Sequence, residues 1–290
     1  MMFRFILIFL ALSYQLSAVS LISAQNTQES DQQINDFSLS GYGEKGKKSW
    51  EIFGKSADVF TEDVQLDDVI GNLYGEDEDV KLTGDKGKFN KENGQLRLED
   101  NVVITTSSGA RLTTDSLEWD RKKQVVSTDD PVNIERDNMI AVAIGVTGEP
   151  NLSKVSLEKD VRVDIKPDQG QGNEEKIIIT CDGPLEIEYE KNIATFYNNV
   201  KVEREDSTIY GDRLDIYFST IDSSDSPPGF MHNKIEKIVA KGNVKIVRGE
   251  NVSYSQEAVY TLVDKKIILS GRPKLVISST GDFDDASFGN

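Results

Sequence analysis

The chain has one cysteine and one histidine in 290 residues, Cys181 and His232. A single chain so composed forms no internal disulfide, no cysteine-rich zinc site and no histidine-based metal cluster, so redox and zinc chemistry drop out. Positive charge is also in short supply. The formal net charge is −17, with acids spread along the whole length, which argues against nucleic acid as a ligand. The acidic runs Glu76-Asp77-Glu78-Asp79 and Asp282 to Asp285 lack the spacing of a calcium loop and read as solvated charge. No cofactor is implied.

Long apolar runs are confined to the start. Arg4 precedes an apolar stretch from Phe5 to Leu12, and small residues follow at Ser17, Ala18, Ser23 and Ala24. Residues 1–24 read as an export signal cleaved after Ala24, or as a retained membrane anchor of sufficient length. Residues 25–35 form a polar tether, and no Cys lies near residue 20 to carry a lipid.

Helical periodicity is scarce beyond residue 48, and short alternating runs separated by Gly, Asn and Asp take its place. The runs repeat at about thirty residues. Each unit ends on a similar phrase: Asp100-Asn101-Val102-Val103-Ile104, Asp130-Pro131-Val132-Asn133-Ile134, Lys159-Asp160-Val161-Arg162-Val163, Asn198-Asn199-Val200-Lys201-Val202 and Gly242-Asn243-Val244-Lys245-Ile246, with a degenerate copy at Arg272 to Val276. The opening strand of a unit carries an acid before alternating apolar residues, as at Asp115, Asp182 and Asp212 and more weakly at Asp85. Asp and Asn suit tight turns, and these positions are read as turns.

Alternation places the outer residues of each valine phrase inward and the middle one in water. One unit has a single apolar face that it cannot cover alone, so successive units stack and fold over. The expected fold is all-β, a long sandwich or jelly roll of two-strand repeats. Pro167 to Glu175 has no apolar pattern and is expected to link a domain at 36–166 to one at 176–280, with a flexible tail over 281–290. Ser219 to Asn233, containing Pro227-Pro228-Gly229, is an insertion in the second domain.

From Leu82 to Ile134 the chain, including GDKGKFNKENGQLRLEDNVVIT and SGARLTTDSLEWDRKKQVVSTDDPVNI, resembles the periplasmic domain of the LptC lipopolysaccharide-export family. The likeness continues to Ile165 and takes in WEIFGKSADVF at Trp50 to Phe60. Ile177 to Ile277, with YGDRLDIYF and IVAKGNVKIVRGENVSYSQEAVYTL, is similar to LptA of the OstA-like family, so the chain reads as a fusion of the two. The usual turn glycine is absent from the copies ending at Ile134 and Val202, and Lys274 stands where valine is expected.

The resemblance implies V-shaped open β-jelly rolls joined end to end in the periplasm, with an N-terminal inner-membrane anchor usual in the family. It implies lipopolysaccharide acyl chains as ligand. The partners it implies are an inner-membrane ABC transporter complex, which supplies the energy, and further jelly-roll bridge or outer-membrane translocon components joined by edge-strand pairing. The inward positions expected to line the groove are Val102, Ile104, Leu117, Trp119, Val132, Ile134 and Val161, then Leu185, Ile187, Val200, Val202, Leu214, Ile216, Val244 and Ile246. Each fits plain core equally well. A non-catalytic carrier is thus expected, with an exported β-solenoid polysaccharide hydrolase or a structural envelope protein as alternatives.

Overall fold

The computed structural model describes residues 32–43, 46–75, 78–120, 122–136, 139–149, 154–166, 176–188, 191–219, 234–261 and 266–278. The signal or anchor over 1–24, most of the tether, the linker 167–175, most of the insertion and the tail 281–290 lie outside the described residues. No helix among those described is long and apolar enough to cross a membrane.

The strands are β1 Gln32–Tyr42, β2 Lys48–Val59, β3 Asp63–Leu73, β4 Val80–Asn90, β5 Gln95–Thr106, β6 Arg111–Asp120, β7 Val125–Arg136, β8 Met139–Gly148 and β9 Lys154–Ile165. They continue as β10 Ile177–Cys181, β11 Leu185–Glu188, β12 Ile193–Glu203, β13 Thr208–Ser219, β14 Lys234–Arg248, β15 Asn251–Thr261, β16 Lys266–Ser270 and β17 Lys274–Val276. All seventeen belong to one antiparallel sheet in which neighbours in sequence pair in space. The short pairs β10/β11 and β16/β17 each act as one divided strand: β10 and β11 both pair with β9 and β12, and β16 and β17 both pair with β15.

The thirty-residue repeat is two strands of this meander. Its boundaries differ from the expectation, however, because the Asp-Asn phrases are not turns. Asp100 and Asn101 lie in the middle of β5, with φ of 61° and 54°. Asn198 and Asn199 in β12, and Gly242 and Asn243 in β14, adopt the same left-handed conformation inside a continuous strand. Register shifts occur at these points, between Glu99 and Val102, Tyr197 and Val200, and Lys241 and Val244. Two consecutive left-handed residues bulge and bend a strand without ending it, and Asn, Asp and Gly tolerate that conformation best.

The bend explains how a single sheet acquires a core. Leu96 and Leu98 before the bend of β5, and Val102 and Ile104 after it, are all buried in one apolar cluster. A flat strand of this length would leave one face wet, so the two halves fold toward each other and become opposed walls. The row of bends is the fold line. Actual hairpin turns sit at the strand ends, as where the Asn90 side chain accepts from the amides of Glu92 and Asn93 at 3.0 and 2.9 Å.

The apolar interior forms two clusters. One runs from Ile52 to Val126 and the other from Val132 to Ala258, with Leu112 touching both. The break falls within β7, whereas the sheet and core run without interruption past the expected linker: Ile165 pairs with Ile177, and Val161 with Cys181. At the other end β1 begins at Gln32, inside the residues expected as tether.

Candidate functional site

The inner walls are built by alternation. Leu96 faces Trp119 and Leu98 faces Leu117 across β5 and β6, and Leu214 stands between Phe196 and Ala240 across β12, β13 and β14. Val102, Ile104, Leu117 and Trp119 are buried in the first cluster. Val132, Val161, Leu185, Val200, Val202, Leu214, Ile216 and Val244 are buried in the second, with Ile134, Ile187 and Ile246 partly buried against it. The expected groove residues therefore face inward, divided between two clusters. Val200, Val202 and Leu214 are almost wholly shielded from solvent within the second cluster. These side chains are close-packed core in this state of the protein.

Space opens at the N-terminal end instead. A cavity of about 430 Å³ is lined by Ile34, Phe37, Ser38, Leu39, Ile52, Ala57, Val59, Val64, Leu66 and Phe89, all of β1 to β4. Nine of these ten residues are apolar, and the volume falls within the roughly 300–1,000 Å³ of ligand sites. Ile52, Ala57 and Leu66 also belong to the first core cluster, so the cavity is the open end of the interior. Glycines admit the aromatic rings beside it: a Cβ on Gly54 would lie 2.2 Å from the Phe37 ring, and one on Gly41 would lie 2.0 Å from Trp50 Nε1.

This mouth lies upstream of the expected groove, which begins at Val102, and Ile34 falls within the expected tether, although Phe37 and Leu39 continue the alternation upstream. Leu39 is 47% exposed, which is unusual for leucine on a strand with an inner face.

Among the described residues two charged side chains are buried, Arg136 at the end of β7 and Asp215 in β13. Asp215, fully buried at the level of Leu214 and Ile216 but on the other side of the strand, is held by Arg213 Nε at 2.6 Å and Lys241 Nζ at 3.1 Å. Burial pushes the Cys181 thiol up, with the Gly183 and Tyr197 amides opposing. Among the described residues no group of His, Cys, Asp and Glu is arranged to hold a metal ion.

Among the described residues the two ends of the sheet are unpaired edges, and β1 pairs with β2 alone. At the other end β16 and β17 expose Ile267, Ile268 and Leu275, Ile268 to 60% and Leu275 to 63%, and Ile277 just after β17 is exposed as well.

The family model for lipopolysaccharide-assembly, LptC-related proteins matches residues 1–166. The chain belongs to the LptC-related family. Residues 183–287 match a second model, the LptA/(LptD N-terminal domain) LPS transport protein. The protein is thus an LptC–LptA-like fusion with a role in lipopolysaccharide transport in the cell envelope. No curated protein matches the chain. Within this LptC-related chain the two matched regions meet near β10 and β11, where the sheet is continuous.

Proposed function

We propose that this chain is a non-catalytic periplasmic carrier that takes lipopolysaccharide acyl chains between its two walls and passes them from the inner toward the outer membrane. The observation that carries the reading is the apolar cavity over β1 to β4, which leads into an apolar interior extending to Ala258. Each methylene moved from water into that cavity contributes about 0.8 kcal/mol, while the sugar headgroup stays outside. The two modules, 36–166 and 176–280, act as one lane, and tails advance by parting walls that are closed when empty.

Energy comes from an inner-membrane lipopolysaccharide ABC transporter complex, with the N-terminal segment holding the first module near it. The exposed apolar edge at β16 and β17 receives the next jelly-roll component by strand addition, since unpaired edge groups template another chain's strand.

Native mass spectrometry of the full chain with lipopolysaccharide tests the reading. A one-to-one adduct is expected, weakened in an Ile34→Asp, Leu39→Asp variant that melts like the parent. Absence of an adduct from folded protein at every lipid concentration would overturn it.

A further inference from the structure

On the outer face of the second module one row of side chains crosses five strands in direct register. Lys201 of β12 faces Tyr210 of β13, Tyr210 faces Lys245 of β14, Lys245 faces Tyr254 of β15, and Tyr254 faces Lys274 of β17. The neighbours Val202, Val244 and Ile246 belong to or pack on the core, so alternation turns this row outward. Tyr210 and Tyr254 are 37% and 42% exposed.

The composition of the row runs against that of the chain. Three lysines and two tyrosines stand together, without an acid, on a protein of net charge −17. Lys245 Nζ lies 5.6 Å from the centre of the Tyr210 ring. Lys201 is paired with Glu203 at 2.6 Å, whereas Lys245 and Lys274 have no carboxylate partner among the described residues. The adjacent outer row supplies Val247, Val252 and Val276, again in register.

We infer that this stripe binds an extended, β-linked amino-sugar polymer bearing carboxylates, the chemistry of the cell-wall glycan. Tyr210 and Tyr254 are separated by one intervening strand, so they repeat at roughly 10 Å. That is close to the length of one disaccharide in an extended β-linked chain. Tyrosine faces and the valine row meet the apolar faces of sugars, and the lysines meet carboxylates. The cargo's own sugars are a poorer match, because tails held between the inner walls keep their headgroup at the mouth, away from the outer face. A chain that spans the space between two membranes must pass the wall, and this contact would fix its position there.

The test is co-sedimentation of the full chain, in detergent, with washed insoluble wall sacculi. Sedimentation that weakens with salt is expected, with binding reduced about tenfold by Tyr210→Ala, Tyr254→Ala and likewise by Lys245→Gln, Lys274→Gln. Melting temperature and the lipopolysaccharide adduct should be unchanged in both, which separates this site from the carrier function. Failure of the parent to sediment, or equal sedimentation of parent and variants, would overturn the inference. So would capture by phosphatidylglycerol vesicles, lost in the variants, without capture by sacculi, since that result assigns the stripe to a membrane surface.

Discussion

Asn243 donates its side-chain amide to the Asp212 carboxylate at 2.9 Å, joining β13 to β14 where both strands turn from one wall to the other. Asn101 makes the same bond to Asp85 at 2.6 Å, and Asn199 makes it to Asp182. One device thus recurs along the fold line. The asparagine adopts the left-handed conformation that bends its own strand and ties that bend to an acid on the preceding one.

The geometry makes the bend sensitive to residue type. Asn243 has φ of 48°, a region that a β-branched side chain avoids. Asn243→Val should cost about 2 kcal/mol, combining backbone strain with a lost charge-assisted hydrogen bond, whereas Asn243→Gly should cost about 1 kcal/mol or less. Urea denaturation of both variants checks this. Equal losses would show that the hydrogen bond, rather than the backbone, holds the bend. Much of this was legible in the sequence, because the recurring Asp-Asn and Gly-Asn phrases marked the positions. Their placement inside strands was not legible, since the same residue types serve hairpin turns and only strand register tells the two apart.

Interior and mouth should respond differently to a charge. Val244 is buried in the second apolar cluster, so Val244→Asp buries an unpaired carboxylate and should destabilise the fold by several kcal/mol. Ile34 and Leu39 are partly exposed at the cavity, so Ile34→Asp and Leu39→Asp should leave the melting temperature within a few degrees of the parent while weakening lipid binding. Paired thermal melts and lipid titrations separate the two classes. A well-folded Val244→Asp protein would show that the walls are already parted in solution.

Alkaline pH should loosen the second module through Cys181. Burial raises this thiol above its ordinary value of 9.0, so the folded state keeps its proton when the unfolded chain has lost it. Stability from this group is complete below pH 9.0 and declines as pH rises toward the folded value. Cys181→Val should remove that part of the decline, measured by urea midpoints across the alkaline range. An identical decline in parent and variant would assign it to other groups.

The edge at β16 and β17 should be separable from the rest of the protein. Ile268→Lys, Leu275→Lys places charge on an exposed strand edge, which blocks pairing with another sheet at little cost to the monomer. Chemical crosslinking between this chain and further jelly-roll components should fall sharply, with the one-to-one lipid adduct preserved. Undiminished crosslinking would place the junction elsewhere.

The sequence by itself determined the all-β class, the two-strand repeat, the inward face of Val102, Leu117, Leu214 and Val244, and the resemblance that the family match upheld. These are local properties, carried by a period of two and by short recurring phrases. Only the tertiary structure decided that the phrases are bends inside strands, that the core divides within β7 and runs unbroken past Ile165 and Ile177, and that the open end lies over β1 to β4. Each depends on which strands pair and how far opposed walls approach. Alternation tells a side chain which way to point, but the partner across the interior, or its absence at the first strand, settles whether that direction leads into packed core or into open space.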